Sequence, residues 1–222
     1  PVMPVAIFCG TGKPCRETYV LKFVEEMKDL LGQAWSYKGI TLTISNPVFI
    51  LDTPARIHFL STKGHSGFDS CTYCRVKGEY LMNRVIFEDT APNRTDADYN
   101  DFKESNQIML SPLSQIFSLR NEFPPDPMHC LYLGVVRKLL RYYFSRVRGV
   151  RLRCRLSRQQ INIISDKVRE HRLSFPREFQ RKPRVFEEFD HFKATEFRSY
   201  LLYFLPFIFK EVVLEQYYRH WN

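Results

Sequence analysis

The sequence predicts an α/β fold, a sheet layered with helices, and three observations carry that expectation. Residues 5 to 52 alternate strand, helix and strand in their periodicity, the order that sets covering helices against a sheet. After Asp52 the texture changes to Gly, Ser, Asp, Asn and Thr-rich loops over 61 to 106, and from Ser111 onward it turns helical. A content of 44% hydrophobic and 15% aromatic residues supplies a substantial core and excludes a disordered chain. The 222 residues suit one large domain or a domain carrying a sizeable insertion.

Taken in order, "VAIFC" (5 to 9) reads as a strand and "GTGKPC" as the loop after it. From Arg16 to Leu31, Val20, Leu21, Phe23, Val24, Met27, Leu30 and Leu31 recur at helical spacing, and Gly32 supplies the stop. "ITLTI" (40 to 44) and "VFILD" (48 to 52) read as strands, the second central because it is mostly apolar. Helices are expected in "SPLSQIFSLR", in "MHCLYLGVVRKLLRYYF" and in "LSRQQINIISDKVREHR", the last starting at Ser157. A Pro-interrupted basic linker, "SFPREFQRKPR" (174 to 184), precedes a final helical block from 186. No repeat or low-complexity segment is visible, and no apolar run has the roughly 18 to 20 residues of a membrane helix. "YLLYFLPFIF" (200 to 209), broken by Pro206, reads as core.

The N-terminus lacks the basic region of a signal peptide, and its first residue is Pro1, so a fragment beginning within its fold is expected. Cys9, Cys15, Cys71, Cys74, Cys130 and Cys154 are spread without a dense framework, as reduced thiols of an intracellular protein are. The net charge is +9, and from Pro127 to Ser165 there is no Asp or Glu but nine Lys and Arg. That one window matches the whole excess. A block of this kind suggests a polyanion, nucleic acid first, with a solvated helix face as the plainer alternative.

Three constellations bear on chemistry. Asp52 ends an apolar segment and Glu196 lies in "HFKATEFRSYLLYF". Paired carboxylates can hold Mg²⁺ or Mn²⁺, but by spacing alone the better explanation is a cap by Asp52 over "DTPAR", paired with Arg56, and a Glu196 pair with Lys193 or Arg198. "GHSGFDSCTYC" sets Cys71 and Cys74 as a C-x2-C pair with His65 shortly before it; thiolates so spaced suit zinc. His58, His129 and Cys130 are candidates for a missing ligand. In "FPPDPMHCLYLGVVRKLL", Asp126 is placed to cap the helix that follows the prolines.

Together, "PVAIFCGTGKP", "FILDTPAR", "KGHSGFDSCTYCRVKGEY", "FPPDPMHCLYLGVVRKLL" and "RKPRVFEEFDHFKATEFRSYLLYFLPFI" follow one another as in a known family. The chain resembles the transposase-domain proteins of animals, which are related to the CACTA (En/Spm-like) DDE transposases, over residues 4 to 220. The resemblance implies a ribonuclease H-like core, its first strand missing, interrupted by a mainly helical insertion with a Cys/His zinc knuckle. It places the first part of the core at 1–60, a loop-rich and then helical insertion at 61–185, and the returning core helix with a C-terminal helical segment at 186–222. Asp52 then matches the second metal-binding acid, at the end of the fourth core strand, and Glu196 the third. Both would hold Mg²⁺ or Mn²⁺ for DNA cleavage and strand transfer, while His65, Cys71 and Cys74 bind zinc. Arg146, Arg148, Arg151, Arg153, Arg155 and Arg158 would grip phosphates. No Asp precedes Asp29, so the first acid lies upstream or has been lost on domestication to an inactive DNA- or protein-binding module. A nuclear protein with DNA as partner follows; self-association and protein partners stay open, and no membrane is involved.

Overall fold

The computed structural model describes residues 9–144 and 152–221, so most of "VAIFC" lies outside the described residues. The chain forms two compact units, Pro1–Pro125 and Asp126–Asn222. Among the described residues are eight α-helices and two two-stranded antiparallel sheets. None of these helices is long and apolar enough to cross a membrane.

In the first unit a wide-wound helical stretch, Arg16–Val20, continues as α1 (Leu21–Gly32). Its periodicity buries Val20, Val24 and Met27, one stripe at i, i+4 and i+7. "ITLTI" contributes only to a hairpin of β1 (Trp35–Tyr37) and β2 (Ile40–Leu42), exposed along its length. Lys38 and Gly39 both have positive φ, 50° and 77°, as a two-residue turn matched to strand twist needs.

"VFILD" does not become a central strand in this chain segment. Its Phe49 N–H donates to the Glu122 carbonyl at 2.8 Å, and Leu51 makes one isolated parallel bridge to Pro125. The facing stretch carries Pro124, Pro125 and Pro127, which have no N–H to extend a ladder. Side chains do the joining instead, with Phe49 stacked on Phe123 at 4.9 Å and edge-on to Phe117. Helix α2 (Thr53–Leu60) follows directly and ends at Ser61, whose φ of 54° is left-handed. Leu60, Leu113, Leu119 and Phe123 join Val20 and Val24 in the core of this unit.

Residues 61 to 106 are mostly loop, interrupted by the hairpin β3 (Glu79–Leu81) and β4 (Arg84–Ile86) and by the short α3 (Asp96–Asn100). A buried polar centre organises them. The Arg94 side chain has no exposure and bonds Glu104, itself 1% exposed, at 2.5 Å. Arg75 reaches the same carboxylate at 2.9 Å, and Asn106 donates to the Tyr99 hydroxyl at 2.9 Å. Beyond it, "SPLSQIFSLR" is helical only as a single tight turn, Pro112–Gln115.

The second unit opens on a wide-wound stretch, Met128–Val136, that tightens into α4 (Arg137–Phe144). Gly134 permits the wide turn, because a Cβ there would stand 2.8 Å from the His129 carbonyl oxygen. Helix α5 (Arg158–Arg172) starts where the sequence marks it: Ser157 Oγ accepts the Gln160 N–H and Gln160 accepts the Ser157 N–H. A tight turn, Phe186–His191, leads to α6 (Ala194–Ser199), a wide stretch Tyr200–Phe204 and α7 (Leu205–Phe209), followed by α8 (Glu215–Tyr218) and a tight turn Arg219–Trp221. Pro206 alters the winding here without ending the helical run. A proline lacks its N–H and crowds the carbonyl one turn back, and the widened turn before it gives the room.

Aromatic rings fill the core of this unit. Phe186 stacks on Phe144 at 4.1 Å and tilts against Tyr200 at 4.9 Å, while Phe192 stacks on Tyr200 at 5.2 Å. Such pairs add about 0.5–1.5 kcal/mol each beyond the area they bury. Ile164 and Val168 of α5 are fully buried against this cluster.

Candidate functional site

Asp52 sits at the start of α2, where its Oδ1 accepts the Ala55 N–H at 2.8 Å and its side chain stays exposed. Pro54 fits the first helical turn beside it. This is the capping geometry that "DTPAR" allows on its own residues.

Glu196 belongs to the second unit and is 2% exposed. Arg184 grips both its oxygens, Nε to Oε1 and Nη2 to Oε2, each at 2.8 Å, and the Lys193 N–H donates to Oε2 at 2.8 Å. Burial pushes this carboxyl up, but the Arg184 bonds, the Lys193 amide and the charges of Arg184 and Arg181 hold it below the usual carboxylate range. Arg184 is pinned in turn: its Nη2 donates to the His191 carbonyl, and its own carbonyl accepts from the Tyr200 hydroxyl. The partner of Glu196 is therefore Arg184, further off in sequence than Lys193 or Arg198.

The sulfurs of Cys71 and Cys74 lie 3.5 Å apart, and the amides of Tyr73 and Cys74 both point at Cys71 Sγ from 3.4 Å. Burial pushes the Cys71 thiol up, yet those two amides, the neighbouring thiol and the Arg94 charge outweigh it and leave it lowered. Cys74 is raised, chiefly by burial. The loop is fixed from beneath. Arg94 Nε and Asn106 Nδ2 both donate to the Cys71 carbonyl, and the Tyr99 hydroxyl donates to that of Thr72. Arg56 lies over the Tyr73 ring at 4.8 Å and donates to its hydroxyl, which donates to the Phe123 carbonyl.

His65 is exposed, and among the described residues no group of three or more His, Cys, Asp or Glu side chains is arranged to hold a metal ion. The thiols thus supply half of a tetrahedral set. His58 is buried in α2 with its Nε2 unpartnered, its pKa lowered by burial and by the charges of Arg16 and Lys13. His129, in the second unit, gives its Nδ1 to Asp126 Oδ2, while Asp126 Oδ1 accepts the Met128 N–H at 2.8 Å. Cys130 beside it is exposed.

Of the basic block, Arg146, Arg148 and Arg151 lie outside the described residues. Arg153 and Arg158 are exposed, and Arg155 is half-buried with its Nε unpartnered. Sequence reasoning missed a cleft of about 870 Å³ in the second unit, whose lining includes Arg137, Arg181, Arg184 and Lys193. The linker "SFPREFQRKPR" was the available signal for Arg181 and Arg184, since its charges have no helical or strand pattern to explain them. No protein-family model, no curated protein and no solved structure matches the chain.

Proposed function

We propose that the chain is a transposase-derived module, related in ancestry to the CACTA (En/Spm-like) transposases, that binds DNA through its second unit. The division of charge carries this reading. Asp126–Asn222 holds 20 Lys and Arg against 10 Asp and Glu, and Pro1–Pro125 holds 13 against 14, so the units carry +10 and −1. A field of one sign on one unit concentrates a polyanion there and makes its binding strongly salt-dependent. The ordered motifs from "FILDTPAR" to "KATEFRSYLLY" support the ancestry, with a ribonuclease H-like core as the fold it implies and the nucleus as its compartment.

Binding is preferred over cleavage because both inherited acids hold structural posts. The Glu196 oxygens are taken by Arg184 and the Lys193 amide, and Asp52 Oδ1 by the Ala55 amide. With both oxygens engaged, the Glu196 carboxylate does not fit Mg²⁺ or Mn²⁺ as arranged, and Asp52 already serves as a helix cap. Zinc fits better: Cys71 and Cys74 present paired sulfurs on a fixed loop, and exposed His65, in "GHSG", is the further ligand that the family pattern supplies.

Fluorescence anisotropy of a labelled DNA duplex, titrated at several salt concentrations, tests the reading. Binding should weaken steeply as salt rises, and salt-independent or absent binding overturns it. Strand cleavage in Mg²⁺ or Mn²⁺, abolished by Asp52→Asn and by Glu196→Gln, would instead restore the enzyme.

A further inference from the structure

We infer that the cleft beside α6 is a track for the DNA sugar–phosphate backbone, held by Arg137, Arg181, Lys193 and Arg198. The inference rests on the DNA-binding reading above and assigns it a place on the molecule.

Two cavities meet at this point of the second unit. One, of about 870 Å³, includes Arg137, Arg181 and Lys193 in its lining; the other, of about 360 Å³, includes Arg181, Arg198 and Tyr203. Gln180, Arg181 and Thr195 line both, so the two cavities adjoin across a shared wall. Two adjoining cavities with cations in both linings suit a chain of phosphates better than a single small anion.

The charges in this groove are of two kinds. Arg184 is spent on the protein itself, gripping Glu196 and lying 3.5 Å from Glu188. Arg137, Arg181, Lys193 and Arg198 make no ion pair among the described residues. Arg181, Lys193 and Arg198 are exposed, free to meet a ligand. The only carboxylates in the two linings are Asp190, which is 80% exposed and pairs with Arg141, and Glu178.

Glu196 acts here as a positioning residue. By neutralising Arg184 it fixes the 181–184 segment on α6, which holds Arg181 beside Thr195.

The test uses the full chain and a labelled DNA duplex. Replacing Arg137, Arg181, Lys193 and Arg198 together by Ala should weaken binding at least tenfold and flatten the slope of log K against log salt by about three and a half units, near 0.9 for each of the four lost phosphate contacts. Unchanged thermal melting establishes that the variant folds. As a readout that needs no variant, reductive methylation of the wild type should find Lys193 protected by DNA and Lys22 of the first unit not. A wild type that binds with the groove variant binding equally well, or with Lys193 unprotected, overturns the groove and leaves the DNA-binding reading standing. A wild type that does not bind DNA overturns both.

Discussion

The two units solve the same problem, ordering a compact piece of chain, with opposite materials. Pro1–Pro125 carries little net charge and adds a buried Arg94–Glu104 centre to its apolar core, whereas Asp126–Asn222 carries the positive excess and builds mainly around packed rings. A polar centre of fully desolvated ions is stable only while every member is paired, and its worth lies in geometry: it holds the Cys71–Cys74 loop by its carbonyls. An aromatic core tolerates a charged exterior because most of its cohesion comes from apolar burial and not from the surface charges. The unit that bears the large net charge is thus the one that, among the described residues, commits a single buried carboxylate, Glu196, to its interior and leaves the rest of its cohesion to apolar and aromatic packing.

The sharpest break in that comparison is Glu104→Ala. It leaves the Arg94 guanidinium buried with no carboxylate and should cost about 3–5 kcal/mol. Hydrogen exchange should show lost protection through 69 to 107 with α5 unaffected; equal loss in α5 would deny the two units separate cores. Phe186→Ala is the matching break in the second unit. Removing the ring between Phe144 and Tyr200 should cost about 3 kcal/mol, read as a red shift of Trp221, which is 7% exposed and bonded to Tyr143, at lower urea.

Glu196→Gln comes next, and its effect depends on pH. The folded-state pKa of Glu196 is depressed, so its contribution is present above the ordinary value of about 4.3 and is lost as pH falls through the folded value. At neutral pH the substitution should cost about 2 kcal/mol, the scale of hydrogen bonds to a charged group. Melting curves should show the wild type losing stability below about pH 4 and the variant losing less; parallel profiles would mean Glu196 is not held as a carboxylate.

How much of this was legible differs by kind of interaction. Local patterns read true: the Val20, Val24, Met27 stripe gave α1, and Ser157 with Gln160 marked the start of α5. The segment 48 to 52 misled because its apolar run hides that its neighbour is a proline stretch far along the chain. Lys38-Gly39 was a readable turn signal for the first hairpin, whereas Met82-Asn83, also with positive φ, advertises the second only weakly. At the site, the C-x2-C spacing was visible but Arg94 beneath it was not. Nothing local distinguishes Arg94–Glu104 or Arg184–Glu196 among 33 basic and 24 acidic residues, since each pairing is made by the fold.

Asp52 offers the smallest effect and the most discriminating one. As a cap, its single bond to the Ala55 amide is worth about 1 kcal/mol, so Asp52→Ala should lower stability by that amount. Asn caps a helix about as well as Asp, so Asp52→Asn should change stability by only a few tenths of a kcal/mol. A divalent-metal ligand behaves otherwise, because an amide in place of a carboxylate removes the negative charge that such hard cations require. Mg²⁺ or Mn²⁺ should therefore leave the melting temperatures of wild type and Asp52→Asn equally unmoved. Metal-induced stabilisation in the wild type that Asp52→Asn abolishes would mean that the carboxylate ends its apolar segment for the ion and caps α2 only in its absence.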